Sequence, residues 1–157
     1  LTDDGIEQYF HVNHLGHFLL THLLLPGLLS APKGGRVISV TSVMHWGADE
    51  SWDKDAEMRA ALLTTPTGAG GEYRRSKLYN LLFTFALARR YPGINAHAVN
   101  PGFVGSDIWR HKSPNRRRLY RAYAKTPTQG AEGILRAATE EMYAERSGYY
   151  VVDSIPQ

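Results

Sequence analysis

A parallel α/β fold is what this sequence predicts, and two features carry that reading. Helical and extended patterns alternate from end to end (helix, strand, helix, strand, helix, strand), the order that builds a parallel sheet covered by helices. The extended runs are short and bounded by Gly and Pro, and the first, Val37-Ile38-Ser39-Val40, is β-branched, as suits a strand.

The elements follow in order. Thr2 has the chemistry of an N-cap, and Asp3, Asp4 and Glu7 suit the positive end of a helix starting there. Ile6, Phe10, Leu15, Phe18 and Leu19 recur at helical spacing toward Leu25, where Pro26-Gly27 weaken the pattern. After Gly34-Gly35, Arg36 to Thr41 reads as a strand. Residues 47–71 form a long excursion, with a short helix near Asp55 to Leu63. Tyr73 to Tyr91 is a second helix, its apolar face Leu78, Leu81, Leu82 and Phe85, and Pro92-Gly93 stops it. Ile94 to Asn100 is a strand closed by Pro101-Gly102. Trp109 to Lys125 is basic and irregular, partly helical. A third helix spans Thr128 to Tyr143, and Gly148 to Val152 is the last strand.

Composition bounds the possibilities. The 157 residues suffice for one domain, and 43% hydrophobic with 21% charged is ordinary for a globular protein. Eighteen Lys+Arg against 15 Asp+Glu give +3, which neither demands nor forbids an anionic ligand. The absence of cysteine excludes a disulfide framework, a thiolate nucleophile and a thiolate metal site, and fits a reducing compartment. Phe18 to Leu29 is too short to span a bilayer and is interrupted by Thr21, His22 and Pro26. The start at Leu1, without initiator Met or signal pattern, leads us to expect further sequence upstream.

Three groups carry chemistry. Tyr73 and Lys77 are four apart and share a helix face. A free phenol, with a pKa of about 10, is a poor acid or base at neutral pH, and a nearby ammonium favours the phenolate. The pair is therefore an acid/base device for an alkoxide; alone, it is equally a partly exposed helix face. Thr41-Ser42 ends the first strand, on the side where parallel sheets bind ligands, and a hydroxyl there can donate to a carbonyl that gains negative charge. The bland alternative is a serine satisfying local backbone. Asn100-Pro101-Gly102-Phe103-Val104-Gly105-Ser106 follows the second strand, where Pro and Gly let backbone lie flat against a planar ligand or simply end the strand.

In this order the motifs resemble the short-chain dehydrogenase/reductase family, in its retinol-dehydrogenase and WW-domain-oxidoreductase-like branch. Thr2 to Glu7 followed by Val12-Asn13-His14-Leu15-Gly16 looks like its central helix, and Gly35 to Ser42 like its serine strand. Tyr73 to Lys77 matches YxxSK, and Asn100-Pro101-Gly102 the loop at the nicotinamide. Thr128-Gln129-Gly130-Ala131 and Ser147-Gly148-Tyr149-Tyr150 resemble later landmarks. The resemblance implies the last three strands, with flanking helices, of a Rossmann-like doubly wound sheet. It implies Tyr73 as general acid/base, with Lys77 lowering its pKa and bonding the nicotinamide ribose. Ser42 would hold the substrate oxygen, and Asn13 would anchor a water linking Lys77 to solvent at an irregularity of the first helix. Backbone from Pro101 through Gly102 and Phe103 to Val104, with the Ser106 hydroxyl, would hold the carboxamide; many relatives have Thr at this last position. The implied activity is hydride transfer between NAD(P)(H), NADP favoured over NAD, and a carbonyl or alcohol, apolar and retinoid- or steroid-like.

The family's glycine-rich phosphate loop has no counterpart here. Gly68-Ala69-Gly70-Gly71 follows a loop rather than a strand and reads as a connector. Residues 1–157 are thus expected to be the catalytic half of a domain, with an unpaired edge on the serine strand and no turnover when isolated. The competing readings are a regulatory or binding protein of the same fold and a fragment without independent role. His11, His14 and His17 lack a carboxylate at metal-ligand spacing and read as packing, with no metal expected. The run Arg110-His111-Lys112, Arg116-Arg117-Arg118 and Arg121 carries no nucleic-acid motif, so nucleic acid is not an expected partner. It reads as a mobile lid, with peripheral membrane contact second. Trp46, Trp52 and Met58 would lie beside an apolar substrate. The expected address is intracellular, cytoplasmic or membrane-associated, any anchor lying elsewhere, and homo-oligomerisation stays open.

Overall fold

The computed structural model describes residues 1–48, 70–153 and 155–156. The helix expected near Asp55 to Leu63, with Trp52 and Met58, lies outside them, as do Gly68 and Ala69.

The sheet has the order β1-β2-β3-β4. Strands β1 (Gly35–Val40), β2 (Ile94–Asn100) and β3 (Tyr150–Val152) run parallel, with Gly35 opposite Ile94, Val40 opposite Val99 and Ala98 opposite Tyr150. These are the three strands expected. The fourth, β4 (Ile155–Pro156), turns back antiparallel onto β3 after Asp153 and is too short to leave a periodic signal in sequence. Helices pack on both faces. Leu87, Ile94 and Ala96 form one buried cluster with Leu25 and Leu28 against it; Val99, Ala137, Tyr143 and Val151 form the other. Central β2 is therefore buried on both sides, as a parallel strand between two helical layers must be.

The first rod comprises α1 (Gln8–Phe10), a π-helical stretch (His11–Leu15) and α2 (Gly16–Ser30). Glu7, not Thr2, caps it: the Glu7 carboxylate accepts from the N–H groups of Tyr9 and Phe10 at 2.8 Å each, while Thr2 Oγ1 closes the preceding turn by accepting from Ile6 N–H at 3.2 Å. A carboxylate at a helix start meets unsatisfied N–H groups and the positive dipole end together. Pro26-Gly27 do not end the rod. The packing of Leu25 and Leu28 on the core outweighs the backbone bond that Pro26 cannot make.

Helix α3 (Gly71–Arg90) departs from its expected face. Of Leu78, Leu81, Leu82 and Phe85, Leu81 is buried, whereas Leu82 and Phe85 are 38% and 37% exposed. Its buried residues are instead mostly polar, Glu72, Arg75, Ser76, Asn80 and Thr84, with Leu81 and Leu87 the apolar ones. The helix meets the end of β1 through hydrogen bonds rather than through apolar packing, which is why the apolar pattern misplaced its inner face.

The segment after β2 is more regular than its composition suggests. A 3-10 turn (Asp107–Trp109) and α4 (Pro114–Tyr123) form a lid whose base returns to the loop after β2. Helix α5 (Pro127–Thr139) starts with a capping box between Thr126 and Gln129. The single third helix expected to Tyr143 breaks at Glu140, where the backbone is extended, and resumes as α6 (Met142–Glu145).

Candidate active site

Three chain segments meet at the C-terminal end of β1. Thr41 Oγ1 donates to the Lys77 carbonyl at 2.7 Å, Lys77 Nζ donates to the Val40 carbonyl at 3.1 Å, and Asn80 Nδ2 donates to that same carbonyl at 3.3 Å. The strand end and the first half of α3 are thereby locked together. From the other side, Asn13 Nδ2 donates to Ser76 Oγ at 3.0 Å, and His14 Nδ1 lies 3.2 Å from Asn80 Oδ1. Asn13 sits within the π-helical stretch, where Gly16 N–H reaches back five residues to the His11 carbonyl. That is the irregularity expected there; such widenings put an extra residue into a helix, often at functional sites.

The pair on α3 has the geometry its spacing demands. Lys77 Nζ stands 5.6 Å from the centroid of the Tyr73 ring, and Tyr9 closes the other side edge-on at 6.0 Å. Burial pushes the Lys77 ammonium below the ordinary lysine value. Ser42 follows β1 directly. Its Oγ accepts from Met44 N–H at 3.2 Å, so the local role weighed for it does occur. That bond engages the oxygen as acceptor and leaves the O–H free to donate. His45 is buried beneath, its Nδ1 2.6 Å from the Ser42 carbonyl, and the neighbouring Trp46 is 80% exposed.

The loop after β2 is shaped by its own chemistry. Gly102 takes φ +79°, a left-handed backbone that side chains disfavour, and its N–H donates to Asn100 Oδ1 at 3.2 Å. Val104 is pressed against α5, where a Cβ on Gly130 would come within 2.4 Å of Val104 Cγ2. This close approach is the physical content of the Gly130 landmark. Trp109 Nε1 donates to the Val104 carbonyl at 2.9 Å, and Phe103, Trp109 and Tyr120 form an aromatic cluster. Ser106 Oγ accepts from Ile108 N–H at 3.5 Å, again leaving the hydroxyl proton free.

The donor set suits one end of a nicotinamide dinucleotide. The N–H groups of Phe103 and Val104 have no acceptor among the described residues. With the Ser106 hydroxyl they match a planar carboxamide, while Lys77 and Tyr73 offer donors to a ribose. No described strand-to-helix turn carries the glycine-rich pattern of a phosphate loop. Likewise, no group of three or more His, Cys, Asp or Glu residues forms a metal site among the described residues. His14 packs against Phe10, Phe18, Tyr79 and Phe83 instead.

Sequence reasoning passed over Asn80 and Thr84 and gave Thr41 and Ser76, noted within their motifs, no role of their own; all four fasten the site or line the inner face of α3. The fourfold repeat Ser76, Asn80, Thr84 was a legible signal, a polar stripe on a helix otherwise read by its leucines.

Comparison with known proteins agrees with this geometry. No family model matches the chain. It is 42% identical to Retinol dehydrogenase 12 of Homo sapiens over 158 residues, covering 97% of this chain and 47% of that protein. It is 33% identical to the human Polyprenol dehydrogenase over 161 residues, covering 96% and 47%. Among solved structures, an oxidoreductase of the short chain dehydrogenase/reductase family from Burkholderia thailandensis superposes with a TM-score of 0.68 at 16% identity, covering 91% of this chain and 52% of that one. The NADPH-bound carbonyl reductase from chicken fatty liver gives 0.63 at 19%, covering 92% and 52%. Over nearly its whole length the chain is similar to proteins of the short-chain dehydrogenase/reductase family. Among them are retinol dehydrogenases, and the chain spans about half the length of the curated relatives it matches.

Proposed function

We propose that this chain is the catalytic part of an NAD(P)-dependent oxidoreductase that interconverts an alcohol and a carbonyl, with an apolar, retinoid-like substrate. The observation that carries the reading is the Tyr73–Lys77 pair, its ammonium 5.6 Å from the phenol ring and its helix bonded to the end of the strand that leads into Ser42. When bound, the nicotinamide supplies and accepts the hydride, and the protein contributes position and electrostatics.

Each side chain then has a defined task. Ser42 donates its free O–H to the substrate oxygen and holds it where negative charge develops during reduction. Tyr73 delivers a proton to that oxygen, or removes one in the oxidative direction. Lys77 supplies positive charge beside the phenol and a donor for the ribose. Asn13, held by Ser76, connects the lysine end to solvent. Phe103 and Val104 N–H, with Ser106 Oγ, hold the carboxamide while Pro101 and Gly102 shape the loop. NADP over NAD is supported by a neighbour solved with NADPH. A retinoid-like or longer isoprenoid alcohol is supported by the names of the relatives, and the exposed Trp46 beside Ser42 suits an apolar guest.

The domain reading is that residues 1–157 form one part of a wider parallel sheet, because β1 is its edge strand and the outer face of α2 is apolar and uncovered. Peripheral contact with a membrane, inside the cell, is supported by α4: Leu119 and Tyr123 point outward, with Arg116 and Arg118 beside them. No helix among the described residues is long and apolar enough to cross a membrane.

The test is Tyr73→Phe in the polypeptide carrying this chain, assayed with NADPH and retinaldehyde. Removing the hydroxyl should lower kcat by about two to four orders of magnitude with NADPH affinity retained. Turnover within a few-fold of the parent would overturn the assignment.

A further inference from the structure

We propose that Lys125, held by Asp153, is a positioning residue that sets the Pro101–Ser106 loop in its binding shape before a nicotinamide arrives. The inference rests on the reading of that loop given above.

Lys125 is joined to the loop along its whole length. Its N–H donates to the Phe103 carbonyl at 2.8 Å, and its carbonyl accepts from Gly105 N–H at 2.9 Å, so that Val104 and Lys125 form an isolated parallel bridge. The side chain then turns across Gly102, where a Cβ would stand 3.2 Å from Nζ and 3.3 Å from Cε. Nζ ends on the Asp153 carboxylate. Asp153 itself lies in the turn between β3 and β4 at φ +49°, alone among the described non-glycine residues in having a positive φ. Backbone in that region persists where its surroundings over-determine it, and here it belongs to the residue that holds the lysine.

One cation thus ties three segments: the loop after β2, the base of the lid and the turn after β3. All three lie beyond the C-terminal ends of the strands, where parallel sheets bind ligands. The pair is open to solvent, with side chains 37% and 64% exposed, so it adds little to global stability. Its effect is local. The Val104 bridge leaves the Val104 N–H facing away from Lys125, and neither it nor the Phe103 N–H has an acceptor among the described residues; the strap holds their spacing in advance, which lowers the ordering cost of binding. The backbone bonds of Lys125 survive side-chain replacement, so the strap can be cut without removing the bridge.

The experiment compares the parent polypeptide with Lys125→Met, Lys125→Arg and Asp153→Asn by amide hydrogen exchange and by NADPH titration. Lys125→Met and Asp153→Asn should speed exchange at Gly102 and Gly105 and weaken NADPH by about twofold to fivefold, the scale of a half-exposed ion pair. KM for NADPH should rise while kcat at saturation stays within about twofold, the pattern of lost binding without lost chemistry. Lys125→Arg should recover most of both effects. Unchanged exchange at the loop, or acceleration that spreads equally through β2, would overturn the positioning role. So would faster loop exchange with undiminished NADPH affinity. If the parent binds no NADPH at all, the functional reading fails instead, and the exchange comparison alone judges the strap.

Discussion

At the scale of single residues, the molecule spends buried polar groups where it needs orientation. His97 is fully buried in β2; its Nε2 donates to the Tyr143 carbonyl at 2.8 Å, while Nδ1 has no partner among the described residues. Burial holds its pKa below the ordinary histidine value, and burial does the same for His14. Because the folded-state values are depressed, the unfolded chain takes up protons first as pH falls below about 6.5. The contribution to stability is complete above that value and is lost progressively toward the lower folded-state values. Urea midpoints should therefore drop between about pH 7 and pH 5, and His97→Gln should flatten the slope. A slope unchanged by the substitution would remove His97 from the account. Ser42 shows the same thrift: one bond to Met44 N–H orients the hydroxyl without consuming its proton.

At the scale of elements, the lid helix α4 separates its duties by face. Tyr120 packs inward on Phe103 and Trp109, while Leu119 and Tyr123 are 55% and 81% exposed, flanked by Arg116 and Arg118. An apolar strip between arginines is the pattern of a helix lying in a lipid interface, with the cations reaching toward headgroups. Anionic vesicles should bind the protein at low salt and release it as salt rises. Leu119→Ser with Tyr123→Ser should weaken binding by about tenfold or more, each buried side chain being worth roughly 1.5–3 kcal/mol. Equal binding to zwitterionic vesicles, or none to either, would discard this face as a membrane contact.

For the molecule as a whole, the outer side of α2 is the feature that the described fold does not satisfy. Val12, Leu19, Leu20 and Leu23 lie on the side of the rod away from α3, and Leu23 is 68% exposed. The adjacent β1 is the sheet's edge. A parallel sheet is normally covered on both faces and closed at its edges, and exposed apolar patches of this kind attract partners. Purified residues 1–157 should accordingly self-associate and bind a hydrophobic dye in sedimentation and fluorescence measurements. Leu20→Glu with Leu23→Glu should reduce both. A monodisperse, dye-silent monomer would show that this surface is stable as it stands.

What the sequence determined by itself was local: three short extended runs, the i, i+4 placement of Tyr73 and Lys77, and the Pro-Gly turn at 101–102, all set by short-range geometry. The motif order further pointed to the family, and the expected widening of the rod at Asn13 appears in the structure. The tertiary structure alone decided the rest. The helix that runs through Pro26, the polar inner face of α3 and the Lys125–Asp153 strap each depend on groups brought together across the chain. No periodicity within one segment records such contacts, because the groups that satisfy a buried donor, or make up for a lost backbone bond, are supplied by a different element.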